Sequence, residues 1–494
     1  VIFPCFQHPL GTYGPVLRKI PMSTSNRAEN ETEEIVSKEA VLILITAASI
    51  MNPFLISAVN VALPSIGEHF HMHAVALSWV NSALLLASSV FLVPFGRIAD
   101  IYGRKLIFLV GTIIYTVSSI LCMSAGSGIL FILYRGLQGI GNAMVFATSL
   151  AIITSVFPPE ERGRALGINL AGIYVGLALG PFIGGLLTQH FGWQSIFFVQ
   201  ILIGTSVTAL IVFKLRAEWR SANGERFDLT GSLIYAAALI MIFYGFSVLS
   251  SCIGIILTSL GIMAFIGFIT WEGRIKQPVL EIGLFRNNQL FAFSNLASLL
   301  YYTATFAIPF LLSLYLQYVK SLTPEIAGIV LVSEPVMMAL LSPFAGRLSD
   351  YVQPRVISSV GMSLSTIGIV MLIFISGRTG IGYVITSLIF VGVGFGLFTP
   401  SNTNAIMGSV SKKYSGVASG TTGTMRLLGQ MSGMGVTLLV FALVIGNIRI
   451  TVEHYDAFMK SVRLLFIVFS ILCFCGIFVS LFRGKMTDRT SRSE

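Results

Sequence analysis

"PFGRIADIYGRKLI" (94–107) has a counterpart late in the chain, "PFAGRLSDYVQPRVI" (343–357). Each copy follows one apolar run and precedes another. Each carries Gly-Arg ahead of an acid and basic residues behind it, so that Asp100 corresponds to Asp350. One short loop repeated by chance would mean little. The apolar runs on either side decide whether the chain itself is duplicated.

Those runs dominate the composition. Of 494 residues, 55% are hydrophobic and only 11% charged, with a mean hydropathy of +0.85. A soluble domain carries about a quarter charged residues, so this chain lacks the polar surface to cover itself in water. A span needs about 20 predominantly apolar residues. Fourteen are read, at 41–64, 76–96, 106–125, 128–157, 166–188, 193–214, 230–249, 251–271, 290–317, 325–346, 356–377, 380–408, 416–446 and 463–482. With the two quoted stretches as register marks, spans 1–6 and 9–14 correspond helix for helix, and spans 7 and 8 fall between them. The expected organisation is an all-α integral membrane protein with two six-helix pseudo-repeat halves. Its parts are an N-terminal tail (1–40), a first bundle (41–214), a two-helix insert with linkers (215–289), a second bundle (290–482) and a C-terminal tail (483–494). Paired halves around a midplane site are the architecture of secondary transporters.

Most of the 31 Lys and Arg lie in the tails and alternate loops. The opposite loops hold Lys320, Arg378, Arg449, Lys460 and Arg463, and Arg135 and Arg426 fall inside spans. The positive-inside rule then puts both termini in the cytoplasm of a plasma-membrane protein. The net charge of +10 is spent on this orientation, and nucleic-acid binding is not expected. Residues 1–40 have no apolar stretch long enough for a cleaved signal peptide, so the first span is expected to do the targeting. Met22 opens a more usual polar tail, and residues 1–21 read as a start-site extension. Four of the five cysteines, Cys122, Cys252, Cys473 and Cys475, lie in apolar runs and read as small buried hydrophobes, with no disulfide or metal framework. No phosphate loop of the Walker type occurs, so ATP drive and cofactors are not expected.

Ionisable side chains inside spans are costly and face the bundle interior or a water-filled cavity. Here they are Arg135, Glu334 and Arg426. Arg135 shares a helical stripe with Gln138 and Asn142. Glu334 precedes Pro335, which removes a helix hydrogen bond and places the carboxylate at a kink, with Met337 and Met338 one turn on as adaptable apolar surface. A structural hydrogen bond is the competing reading for each ionisable group. Asn60, Gln138, Asn142, Tyr302, Phe306, Gln317, Met337, Met338, Asn402 and Arg426 are the candidates to line a substrate cavity. His69, His71 and His73 are read as a solvated outer loop against the alternative of a metal site.

Five motifs in order resemble the major facilitator superfamily, in its fourteen-span drug/proton antiporter branch. "GRIADIYGRK" (96–105) resembles its loop signature, "LYRGLQGIGNA" (133–143) its fourth-helix motif and "GIYVGLALGPFIGG" (172–185) its antiporter motif. "LYLQYVKSLTPEIAGIVL" (314–331) and "GVASGTTGTMRLLGQMSG" (416–433) resemble the branch itself. The resemblance implies a transporter, not an enzyme, that exports amphipathic or cationic compounds by proton antiport and works as a monomer. Gly96, Asp100, Gly103, Arg104 and Lys105, with Arg347 and Asp350, would latch the halves on the cytoplasmic side. Gly172, Gly176, Gly180, Pro181, Gly184 and Gly185 would form the antiporter helix, and Arg135 would tune a proton-binding carboxylate. The sequence departs from the pattern where Leu55 replaces an acid in span 1, Ile101 a basic residue and Leu84 a tyrosine. Glu334 is then the carboxylate expected to carry the proton. An exporter or importer of a specific metabolite or anion, and a membrane receptor or assembly subunit that kept the fold but lost transport, are the alternatives.

Overall fold

In the computed structural model, the described residues are 38–215, 218–220, 227–249, 251–275, 282–410, 415–446, 448–450 and 454–484. Among them are fourteen helical spans long and apolar enough to cross a membrane, as the hydropathy predicts. The tails 1–37 and 485–494, including Cys5, lie outside the described residues.

The first six helices are α1 (Lys38–His69), α2 (Ala74–Tyr102), α3 (Arg104–Met123), α4 (Gly128–Val156), α5 (Pro159–Phe191) and α6 (Gln194–Lys214). The inserted pair is α7 (Leu229–Ser247) and α8 (Cys252–Glu272), followed by a short α9 (Ile282–Asn287). Helices α10 (Gln289–Thr305) and α11 (Ile308–Leu314) and a π-helical turn (Tyr315–Val319) make the ninth span, interrupted ahead of Pro309. Helices α12 (Pro324–Leu331) and α13 (Ser333–Tyr351) make the tenth. The rest are α14 (Pro354–Ile373), α15 (Ile381–Gly408), α16 (Ser415–Val444) and α17 (Tyr455–Phe482).

Small residues set the close packing. On α5, Gly172 and Gly176 lie against Thr46 and Ile50 of α1, Gly180 against Phe54 and Ser57, and Gly184 against Ala58. The four-residue spacing keeps them on one face. On the other side of α5, Gly185 lies against the Pro324 carbonyl, and Gly328 of α12 packs on the Pro181 carbonyl. Helix α5 therefore packs closely against one helix from each half of the chain, α1 on the stripe and α12 on its other side. The insert covers the flank: the Tyr235 hydroxyl of α7 donates to the Ser89 carbonyl of α2 (3.1 Å), while Phe243 and Phe246 meet Gly435 of α16. Helix α8 turns Ile253, Ile255 and Met263 outward, as lipid requires.

Several boundaries differ from the sequence reading. The 96–105 stretch is not a loop. Helix α2 runs through Tyr102 and a single residue, Gly103 at φ 127°, separates it from α3. Gly96 sits inside that helix with only Ala147 Cβ near it, at 4.0 Å, so its expected tight backbone path is not found. The last span begins at Tyr455, which brings Lys460 and Arg463 onto the helix. The three histidines part company: His69 packs edge-on to Phe70 and Trp193, His71 turns with φ 55°, and His73 caps α2. Cys122 and Cys473 are buried, but Cys252 and Cys475 are exposed on helix surfaces and are not core hydrophobes.

Candidate functional site

A cavity of about 300 Å³ lies between the first six helices and the last six spans. Helices α1, α4 and α5 form one wall, and α10, α13, α15 and α16 the other. It extends from mid-span toward the face on which α1 begins and α17 ends, reaching Leu150, Leu166, Met407 and Ser419. On the opposite face the two groups meet. Ser313 Oγ donates to the Asn60 carbonyl (2.5 Å), and Gln317 Nε2 to the Val61 carbonyl (2.8 Å). His190 lies 3.4 Å from Glu325 across the same seam. The protein is open to one side and closed to the other.

Glu334 occupies the cavity wall. The helix hydrogen bonding lapses at Val332, between α12 and α13, because Pro335 has no N–H to return to the Leu331 carbonyl. The side chain just past that break is 3% exposed, and its Oε2 has no hydrogen-bond partner among the described residues. On α16, in the same wall, Arg426 sits with its guanidinium carbon 5.4 Å from the Tyr302 ring centroid, a cation–π contact. Among the described residues Arg426 has no carboxylate, and Glu334 no cation, in ion-pair range.

Of the sequence candidates, Asn60, Asn142, Tyr302, Phe306, Met338, Asn402 and Arg426 line the cavity with Glu334. Three candidates do not. Gln138 is buried within the first six helices, accepting from Arg135 and donating to Ser119 Oγ (2.8 Å). Gln317 closes the opposite seam, and Met337 turns toward α15, where its Cβ would lie 3.0 Å from one on Gly392.

Arg135 also stays out of the cavity. It is fully buried, donating to the Val80 carbonyl (3.2 Å), Gln138 Oε1 (2.5 Å) and Asn81 Oδ1 (3.2 Å). Asn81 Nδ2 in turn donates to Asn60 Oδ1 (2.6 Å). Among the described residues no carboxylate neutralises the guanidinium, and it does not meet Glu334. It reaches the cavity only through the Asn81–Asn60 pair, bracing α4 to α2 and α1. Asn52, Asn169 and Gln430 line the cavity as well and were missed. Their signal was available: an amide inside a span is expensive unless it is hydrogen-bonded or wet.

At the α2–α3 junction, Arg104 Nη2 and Asp100 Oδ1 pair at 2.7 Å, as the spacing suggests. Arg104 also reaches the Ala151 carbonyl and Ser155 Oγ of α4. A group the sequence did not mark completes the junction. The Glu218 carboxylate accepts from the backbone N–H of Lys105 (2.8 Å) and Leu106 (3.2 Å), capping α3 from the linker. These contacts stay within the first six helices and their linker. In the second copy Arg347 is exposed, and the side chain of Asp350 lies outside the described residues.

Comparison with known proteins agrees with this geometry. The Major Facilitator Superfamily model matches residues 45–434. The riboflavin transporter RibZ of Clostridioides difficile (strain 630) is 29% identical over 456 residues, 92% of this chain and 99% of that protein. The multidrug resistance protein Stp of Mycobacterium tuberculosis (strain CDC 1551 / Oshkosh) is 31% identical over 393 residues, covering 78% and 72%. Among solved structures, a bacterial homologue of the human lysosomal transporter Spinster, in an inward-facing and unoccupied conformation, superposes with a TM-score of 0.64. It is 14% identical and covers 92% of this chain and 98% of that one.

Proposed function

This chain belongs to the Major Facilitator Superfamily, and we propose that it exports small amphipathic compounds across the plasma membrane by proton antiport. It is a membrane transporter of small molecules rather than an enzyme. In the proposed cycle the halves 41–214 and 290–482 alternate in closing around the cavity, as a monomer with both termini cytoplasmic. The side now open is then the cytoplasmic one.

The observation that carries this reading is Glu334, a buried carboxyl in the cavity wall with an oxygen that nothing satisfies. An uncompensated charge inside a membrane costs several kcal/mol, and a proton from the outer side removes that cost. Release of the proton to the cytoplasm recharges the wall as substrate enters. The Asp100–Arg104 junction, tied to Glu218, is the latch that reforms against the second half when the cytoplasmic side closes.

The test is dye efflux from proteoliposomes under an imposed pH gradient. Wild type accelerates with the gradient, and Glu334→Gln moves dye downhill at a rate indifferent to it. Efflux by wild type that ignores the gradient, or normal coupling in Glu334→Gln, sinks the reading.

A second reading, transport of a specific metabolite or anion, is favoured by the Arg426 guanidinium in the cavity wall and by Leu55 where the family pattern has an acid. Riboflavin, named for one relative, is the first competitor to add to the dye assay.

A further inference from the structure

Helix α1 carries Pro64 in its interior. A proline has no N–H to return to the carbonyl four residues behind it, so the Asn60 carbonyl lacks its helix partner. That carbonyl belongs to a buried residue, 5% exposed, and its acceptor capacity is met from the other half of the chain. Ser313 of α11, itself fully buried, donates its hydroxyl to the Asn60 carbonyl (2.5 Å). Gln317 stands behind it. Its Nε2 donates to Ser313 Oγ (3.0 Å) and to the Val61 carbonyl (2.8 Å).

The side chain of the same asparagine lines the transport cavity. Asn60 Oδ1 accepts from Asn81 Nδ2 (2.6 Å), and Asn81 Oδ1 accepts from Arg135 Nη2 (3.2 Å). A run of hydrogen-bonded groups therefore leads from Arg135 on α4, through Asn81 and Asn60, to Ser313 and Gln317 of the ninth span. Its first members hold Asn60 in place within one half. Its last members reach that residue's backbone from the other half.

We propose that the Asn60 carbonyl, freed by Pro64, is the catch of the gate on the closed face, and that Ser313 is the residue that engages it. A buried acceptor without a donor is costly, so the closed seam needs the Ser313 hydroxyl. When the halves part, water entering the opened seam takes over that hydrogen bond. Loss of the hydroxyl thus raises the energy of the closed state and leaves the open state unchanged. Pro64 is the reason the bond matters, because alanine there returns an N–H to the same carbonyl from within α1. The gate presupposes the alternation of the two halves proposed above, and neither the proton reading of Glu334 nor the identity of the substrate.

Ser313→Thr and Ser313→Val introduce side chains of equal size that differ by one hydroxyl, so their comparison separates the hydrogen bond from packing. Spin labels on Gln189→Cys and Ser321→Cys flank the closed seam, one in each half, with Cys5, Cys252 and Cys475 replaced by serine. Electron–electron double resonance of the full-length protein in maltoside micelles then gives the ratio of open to closed populations. That ratio should be roughly 5- to 150-fold higher in Ser313→Val than in Ser313→Thr, the effect of leaving one buried acceptor unsatisfied. With Pro64→Ala added, the two variants should agree. Equal ratios with Pro64 in place overturn the proposal, and so does a difference that persists undiminished in folded Pro64→Ala. Alternation is tested separately, by joining the same two cysteines with a flexible bifunctional thiol reagent and measuring dye efflux from proteoliposomes. Efflux that survives the cross-link refutes alternation and the gate with it. Blocked efflux together with equal ratios in the Thr and Val variants refutes the catch alone.

Discussion

Replacing Gly328 by alanine puts a methyl group between the two halves on their closed side. The new Cβ falls well inside 3.0 Å of the Pro181 carbonyl oxygen and at 3.0 Å from its carbon. Both obstacles are backbone, so no rotamer change relieves them, and ordinary contact begins only at 3.4 Å. Overpacking of this kind costs about 1–3 kcal/mol. That cost exists only while α12 lies on α5, so opening the seam relieves it. The population open to the far side should rise roughly 5- to 150-fold, at tenfold per 1.4 kcal/mol. Gly184→Ala is the matched control, because its Cβ meets Ala58 Cα at 2.6 Å within one half and burdens both states alike. Spin labels on Gln189 and Ser321, with Cys252 and Cys475 replaced by serine, report the separation by electron–electron double resonance. Gly328→Ala should add a longer distance, and Gly184→Ala should lower the melting temperature without adding one. An unchanged distribution in folded Gly328→Ala, or equal shifts in both variants, refutes the account of the seam.

Three further outcomes concern the helix ends. Glu218→Gln removes a charged cap from two N–H groups of α3 and should cost about 1 kcal/mol in chemical unfolding. Gly103→Ala should cost about 1–3 kcal/mol, because it combines φ 127° with a Cβ at 2.5 Å from the Glu218 carboxyl; wild-type stability in both would contradict the capping role. At the N-terminal end of α2, the His73 Nδ1 accepts from Ala76 N–H (3.2 Å), and burial lowers its pKa below the ordinary 6.5. The folded state then favours neutral histidine, so the cap contributes above pH 6.5 and is lost as pH falls through the lowered value. The protection of the Ala76 amide, its exchange rate set against the intrinsic rate at the same pH, should fall in acid, and His73→Asn should abolish that dependence while keeping a cap; wild-type protection that is flat with pH refutes the assignment.

Fourteen spans, a broken tenth helix and the pairing of Asp100 with Arg104 were legible in the chain, because each depends on residues close together in sequence. Hydropathy over about 20 residues reports the solvent around a helix, and Pro335 acts on the carbonyl one turn behind it. The same locality explains the boundary errors. A helix continues through polar residues while its hydrogen bonds continue, so α2 runs past Arg97 and Asp100 and stops only where Gly103 turns.

Membership of the cavity was another matter. Gln138 and Asn142 are one helical turn apart on α4, yet one is committed to Arg135 and the other faces the cavity. Gln317 and Ser313 of the ninth span are spent on holding the closed seam, a use that requires α1 as a partner more than 250 residues away in sequence. Glu218 and Arg483 looked like ordinary charges beside spans until the fold set one on the start of α3 and buried the other under Asn402. The sequence by itself determined that the chain has fourteen spans and that Arg135, Glu334 and Arg426 lie within them. Tertiary structure alone decided which of those charges meet and which face open space, because that depends on the rotation of each helix and on partners the chain brings together from its two ends.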